Sequence, residues 1–396
     1  MKVLHVIPSL SSSHGGPSTA LALMERALTA QGVTIETATT DDDGPGRRNG
    51  KPCSQPLQEN GVVHWYFSKV ADFYKPSPQF ARWIASKAAD YDLIHIHALF
   101  SFTSAAAAWA AHRAGVPYVV RPLGTLNAYG MRERRPWLKR LAMRLVDGVV
   151  LRRAAAVHFT SEEEAAEAAE LGIPMKAAVI PLGVETIAHA RTSESDGDAQ
   201  VDGGRPRACV LFLSRLDPKK NLEGLLDAIA ILRREMPGLS LLVAGAGTPD
   251  YVAGLKARAD RAGLAGCVVW AGHLEGSAKA AAFARADVFV LPSFSENFGI
   301  AAAEALAQGL PCVLGHGVAL AKDVAAAHAG VAVMTDPESI AHGLRLIIAS
   351  KAGLARMSAN ACQLALERFS AQAMGANLKR LYTGILNGSE GFHAAR

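Results

Sequence analysis

The sequence predicts an α/β protein made of two Rossmann-like domains, and three observations carry that prediction. Lys2 to Leu10 reads as an apolar strand that leads through the polar turn Ser11 to Ser18, with its Gly15-Gly16 pair, into a helix from about Ser18 to Ala30. A second unit of the same design begins at Ala208, with an apolar strand, the basic turn Arg215 to Lys220 and a helix to Arg234. Between them, Ala190 to Arg207 is rich in Ser, Asp and Gly and nearly without apolar residues, which is the composition of a loop or linker. The expected division is a first domain over 1–188, a loop over 189–207, a second domain over 208–370 and a terminal segment over 371–396. At 396 residues the chain is long enough for two separate cores.

Composition narrows the function classes. Half the residues are hydrophobic and 19% are charged, as in soluble globular proteins, and no run approaches the roughly eighteen apolar residues of a membrane span. The apolar start is followed by no small-residue cleavage site and reads as a strand. Five scattered cysteines, Cys53, Cys209, Cys267, Cys312 and Cys362, have neither metal-ligand nor redox spacing, which predicts a reducing cytoplasm. The net charge of +5 suits nucleotide phosphates or acidic lipid and is too small to argue for nucleic acid.

Along the first half, Val33 to Thr39 reads as a strand opening into a polar loop with Asp41 and Asp43. An Asp-x-Asp pair can hold a divalent metal, but its Gly/Pro-rich setting favours a solvated loop. Tyr91 to His97 alternates as a strand does, so His95 and His97 share a face, with no third metal ligand nearby in sequence. Val116 to Leu126 is the next strand and exit loop, carrying Arg121. From Met131 to Arg153 eight basic residues accompany Trp137, Leu138, Leu141, Leu145 and Val149 at helical spacing. Such a stretch either lies on an anionic membrane surface or packs its apolar side on the core, and the sequence leaves both open.

In the second half, Arg215 and Lys220 flank the turn after the first strand, where a planar fork and a point charge can clamp a diphosphate; Lys219 is the weaker competitor. Gly245-Ala246-Gly247 is another tight turn at the carboxyl edge of the sheet, where ligands collect in open α/β folds. The stretch that organises the chain is Val288 to Ala307: a buried strand ending at Pro292-Ser293, a loop with Glu296, Asn297, Phe298 and Gly299, and an Ala-rich helix carrying Glu304. The amides of a helix N-terminus suit phosphate or sugar hydroxyls, and Gly299 lets the backbone come close. Eight residues separate the two glutamates by roughly 12 Å, so one extended ligand can touch both and one metal ion cannot.

Glu-x-Phe-Gly with a second Glu eight after the first, followed by Ala-Leu-Ala-x-Gly-x-Pro, resembles the signature of the family-4 retaining glycosyltransferases of the GT-B fold, and the resemblance extends over nearly the whole chain. It implies two Rossmann-like domains facing each other across a cleft, the first for the acceptor and the second for a nucleotide sugar. It further implies that Glu296 and the backbone from Asn297 to Gly299 hold the donor sugar and diphosphate. Glu304 would hold the ribose, Arg215 and Lys220 the diphosphate, and Leu274 would lie beside the base. Gly15 and Gly16 would face the diphosphate, and His97 would line the cleft with His95 structural. Where many members carry a loop histidine, this chain has Arg121-Pro122-Leu123-Gly124, similar to a subgroup of bacterial surface-polysaccharide enzymes. Arg121 is the substitute sugar contact or the partner of a nearby acid. The helix after Ser370 would cross back to the first domain.

The implied reaction is transfer of a sugar, with retained anomeric configuration, from a UDP- or GDP-sugar to a glycan or lipid-linked saccharide, at the inner face of the cell membrane. It requires no metal and no cofactor beyond the donor. Alternatives are a non-catalytic nucleotide-sugar-binding subunit, which the absent loop histidine favours, or a sugar-nucleotide epimerase, against which the paired glutamates speak.

Overall fold

A computed structural model describes residues 1–11, 16–126, 136–185 and 208–388. The chain divides into two compact units, Met1–Gly183 with Ala371–Arg396, and Val184–Ser370. The first unit ends before the expected 188 because Val184 is already buried and donates its N–H to Phe369 O at 2.7 Å. The 189–207 loop, and Gly15, lie outside the described residues.

The first unit is built on an eight-stranded sheet: β1 (Lys2–Val6), β2 (Thr34–Thr40), β3 (Pro56–Glu59), β4 (Val62–Phe67), β5 (Leu93–His97), β6 (Tyr118–Arg121), β7 (Ala156–Phe159) and β8 (Ala177–Val179). Their order is β3-β4-β2-β1-β5-β6-β7-β8, and only the β3–β4 pairing is antiparallel. One face carries Leu4, Val6, Ile94, Ile96, Val120 and Val157 into a core with Phe67 and Phe80. The other face is buried and polar. It presents His5, Thr37, Thr39, His95, His97, Arg121 and His158, covered by Glu25 of the helix Gly16–Ala30 and Tyr382 of the helix Ala371–Leu386.

Those two helices pack closely where Gly375 meets Ala27; a Cβ on Gly375 would come within 2.8 Å of the Ala27 carbonyl. The helical pattern from Met357 to Gly384 predicts one terminal helix, and the structure has two, Lys351–Leu364 and Ala371–Leu386. A π-helical turn and Ser370 separate them, with Ser370 in an extended conformation that ends the first. Asp41 bonds Arg48 at 2.9 Å and the Lys69 amide, and Asp43 accepts from Ser11 Oγ.

Asp147 closes a π-helical turn, Met143–Asp147, and is 1% exposed, accepting the Phe100 amide at 3.0 Å. Burial pushes its carboxyl up from 3.8 to about 6. Because the folded value exceeds the unfolded one, its contribution to stability is complete below the unfolded pKa and lost as pH rises through the folded one. Wild type should therefore lose roughly 2 kcal/mol more than Asp147→Asn between pH 4 and pH 7. Urea unfolding of both proteins at the two pH values measures this, and identical pH dependence contradicts it.

The second unit is a six-stranded parallel sheet ordered β11-β10-β9-β12-β13-β14, from β9 (Ala208–Leu213), β10 (Leu239–Ala244), β11 (Val268–Gly272), β12 (Val288–Leu291), β13 (Cys312–Gly315) and β14 (Gly330–Val333). Strands buried on both faces by flanking helices read as continuous apolar runs, as Val288 to Leu291 does. The order reverses between β9 and β12, and a ligand crevice forms at such a switch point, outside the carboxyl ends of the strands.

Candidate functional site

The carboxyl ends of β9, β10 and β12 bring the sequence-predicted donor residues together. After β9 the chain runs beside the Gly245-Ala246-Gly247 turn, with Ser214 N bonded to Ala244 O (3.1 Å) and Leu216 N to Ala246 O (2.8 Å). Gly245 has φ +147°, and a Cβ there would lie 1.8 Å from the Ser214 carbonyl. Its amide bonds Gly272 O at 2.6 Å, and this glycine lets two exit loops lie side by side.

Asp217 caps the short 3₁₀ turn Pro218–Lys220 by accepting the Lys219 amide at 2.9 Å. Asn221, at φ +55°, then caps the helix Leu222–Arg233 through Gly224 N (3.2 Å). This double turn directs Lys220, 7% exposed, onto Glu296, with which it forms an ion pair. Lys219 instead gives its carbonyl to Phe294 N at 3.0 Å, tying the turn to the signature loop. Arg215 is exposed at the same end of the sheet.

The signature loop is pinned on both sides. Glu296 donates its N–H to Gly317 O (2.8 Å) and accepts Ala319 N (3.1 Å). Phe298 is 5% exposed and packs edge-on against Phe369 with ring centres 5.8 Å apart. Gly299, φ +93°, opens the helix Ile300–Ala307, and its carbonyl accepts Ala302 N and Ala303 N. Asn297 lies partly buried between Glu296 and Phe298. Glu304 is held by Lys279 at 2.6 Å, both about a quarter exposed. Lys279 escaped the sequence reading because a lone lysine in the Ala-rich helix Gly276–Arg285 has no signal of its own. Leu274, half-buried, sits in the loop between β11 and that helix. Lys220 thus faces Glu296, and Lys279 faces Glu304, at this end of the sheet.

The first unit departs more from expectation. Gly16 opens the helix Gly16–Ala30. His97 is not exposed as a cleft-lining residue. It is fully buried, with Nε2 3.0 Å from Nδ1 of His5, because its strand turns that face under the covering helices. His95 bonds Tyr382 Oη through Nδ1 at 2.6 Å. His5 supplies the third imidazole that the local sequence lacks, 90 residues upstream: candidate ligand atoms of His5, His95 and His97 lie within 4.8 Å of one another. Burial pushes His5 down to about 4 and His158 to about 3, and His95 and His97 well below the usual imidazole range, so all four are neutral near pH 7.

Arg121, 4% exposed, ends β6 opposite His97. No acid pairs with it among the described residues: Glu164 gives its carboxylate to Gly124 N (2.9 Å), Thr160 N (2.7 Å) and Thr160 Oγ1 (2.8 Å). Of the basic stretch from 131 to 153, residues 131–135 lie outside the described residues. In the rest, the apolar stripe Trp137, Leu141 and Leu145 is not core-facing; the three are 65%, 47% and 62% exposed.

Two parallel-stranded Rossmann-like units define the GT-B class, and solved structures of that class match along nearly the full chain. Sucrose-phosphate synthase from Thermosynechococcus elongatus matches with a TM-score of 0.74 at 20% identity, covering 98% of this chain and all of that one. Anabaena HepE, solved in complex with UDP, matches with a TM-score of 0.75 at 19% identity, covering 97% and 100%. Residues 15–183 match the glycosyl transferase 4-like domain, and residues 201–364 match the glycosyl transferases group 1 family. The chain belongs to the group 1, family-4 glycosyltransferases. Phosphatidyl-myo-inositol mannosyltransferase of Mycobacterium tuberculosis is 30% identical over 213 residues, 52% of this chain and 53% of that protein. The chain therefore spans about half the length of the curated relatives it matches.

Proposed function

We propose that this protein is a retaining glycosyltransferase that moves a sugar from a UDP- or GDP-sugar to a glycan or lipid-linked saccharide in surface-polysaccharide synthesis. The observation that carries the reading is the convergence of Lys220 on Glu296, beside Arg215 and the N-terminus of the Glu304 helix, at the switch point of the second sheet. Lys220, Arg215 and the Phe298 and Gly299 amides stabilise the departing diphosphate as charge develops on it. Glu304, oriented by Lys279, takes the ribose hydroxyls. The acceptor's proton passes to the leaving phosphate oxygen on the same face of the sugar, so the reaction needs no separate base. With purified protein, an excess of EDTA should leave transfer intact, and NMR of the product should show the donor's anomeric configuration. Loss of activity in EDTA, or an inverted product, contradicts the reading.

We place the protein at the inner face of the cell membrane, peripherally. Trp137, Leu141 and Leu145 form an exposed i, i+4, i+8 stripe accompanied by Lys139, Arg140 and Arg144, the layout of a helix lying on anionic lipid. No helix among the described residues is long and apolar enough to cross a membrane. Co-sedimentation with phosphatidylglycerol vesicles should exceed that with phosphatidylcholine and weaken with salt. The double change Trp137→Ser, Leu145→Ser should cut it by about tenfold or more. Equal binding to both vesicles argues against this surface.

A further inference from the structure

At the β14 edge of the second sheet, the carboxyl ends of β13 and β14 and the helix Pro337–Ile348 border a cavity of about 440 Å³. Its polar wall is made by His316, Glu338, Ser339 and His342, with Met334, 61% exposed, beside them. The fold brings these residues together from two directions. His316 is the first residue after β13, and its N–H bonds Val333 O at 3.0 Å. The helix lies close on β14 at Gly343, where a built Cβ would meet Val333 Cγ1 at 2.6 Å. Glu338 and His342 stand one turn apart on that helix, so their side chains share a face. All three of His316, Glu338 and His342 are exposed, and none of their side chains has a hydrogen bond or ion pair among the described residues.

The donor atoms select the ligand. Two imidazole nitrogens and a carboxylate oxygen, with a thioether nearby, suit zinc or a neighbouring divalent transition ion, whereas magnesium and calcium prefer oxygen throughout. An anion is disfavoured although a helix starts here. The Ser339 amide is taken by Asp336 Oδ1 at 2.8 Å, and the Asp336 and Glu338 carboxylates place negative charge at the helix start. The three donors are not all within 4.8 Å of one another, as those of His5, His95 and His97 are. They belong to exposed side chains, so an ion draws them together by rotamer changes alone. The first unit's triad is by contrast fully buried, with His95 held by Tyr382. Ordering three exposed side chains lowers the affinity, which puts the dissociation constant at about micromolar.

Both walls of the cavity continue into the loops that carry Glu296 and Lys220. The carbonyl of Gly317, next to His316, accepts Glu296 N at 2.8 Å, and a Cβ on Gly317 would lie 2.1 Å from the Phe294 carbonyl. The carbonyl of Thr335, next to Met334, accepts Asn221 Nδ2 at 2.8 Å. An ion that ties the β13 exit loop to the helix therefore restrains the signature loop from behind.

We propose that His316, Glu338 and His342 bind a divalent transition-metal ion of the zinc class, and that the bound ion braces the signature loop. The site takes no part in sugar transfer and does not rest on that reading. Calorimetric titration of the untagged full chain with zinc chloride, after EDTA treatment and dialysis, tests it. Wild type should bind one zinc ion, and magnesium should not compete. His316→Ala and His342→Ala should each weaken binding by about tenfold or more, and the double variant should lose it. His112→Ala, which removes an exposed histidine of the first unit, should bind as wild type does. Bound zinc should slow hydrogen exchange across residues 294–297 in wild type and leave the double variant unchanged. The proposal is overturned if wild type binds no zinc, if binding survives the double variant, or if His112→Ala weakens it as much as His342→Ala. Unchanged exchange across 294–297 with zinc bound also overturns it. A nucleotide-sugar shift that persists in the double variant leaves the function standing where this site fails, and zinc binding without any nucleotide-sugar shift does the reverse.

Discussion

Lys220→Ala should lower kcat by about 10²- to 10³-fold while leaving the chain folded, the loss expected when one preorganised donor to a developing oxyanion is removed. Lys220 is buried to 7% exposure and already aimed across the crevice at Glu296, so its ammonium needs little reorganisation to meet the leaving diphosphate. Glu296, a quarter exposed, can turn to water when its partner goes, which keeps the effect on folding small. Lys219→Ala is the comparison, because its backbone carbonyl, which the substitution keeps, is bonded to Phe294 N of the signature loop. Steady-state kinetics of both variants decide: a large loss in Lys219→Ala with Lys220→Ala near wild type would transfer the role to the neighbouring residue.

Gly245→Ala should destabilise the second unit by about 3 kcal/mol or more. Two costs coincide there. A side chain at φ +147° is strained, and the added Cβ would sit 1.8 Å from a backbone oxygen that is itself fixed between β9 and β10. Gly263 separates the two costs, since it has φ +71° but nothing within 4 Å of a built Cβ. Gly263→Ala should cost about 1 kcal/mol, the backbone strain alone. Urea unfolding of both variants measures the difference, and equal losses would show that the loops at Gly245 part without penalty.

The second unit was largely legible in the sequence because its signals are local. The run from Val288 to Leu291, the glycine at 299 and the cations at 215 and 220 each report on a strand end or a turn within a few residues of themselves. Those signals stop where contacts join distant segments. Lys279 reaches Glu304 across 25 residues, and His5 meets His97 across 92. Alternation put His95 and His97 on one face correctly, but only the strand order, with β1 beside β5, decides what lies against that face. His97 was accordingly expected at a surface and is at the centre of a polar layer. The conformation after residue 364 was missed for a related reason: an apolar helical pattern continues through Phe369, and the extended Ser370 that breaks it carries no Gly or Pro. Burial of Trp137, Leu141 and Leu145 was undecidable from spacing, since a core-facing stripe and a lipid-facing one have the same period.

The central claim is that the second unit holds a nucleotide sugar through Lys220 and Glu304. It is tested most directly by thermal unfolding, without metal, against UDP-, GDP- and ADP-sugars, for wild type, Lys220→Ala and Glu304→Ala. A ligand at a hundred times its dissociation constant adds about 2.7 kcal/mol to the stability of the protein that binds it. One nucleotide sugar should raise the wild-type midpoint and leave both variants unmoved. If no nucleotide sugar or free nucleotide shifts the folded wild type, or if both variants respond as wild type does, the donor-site assignment is contradicted.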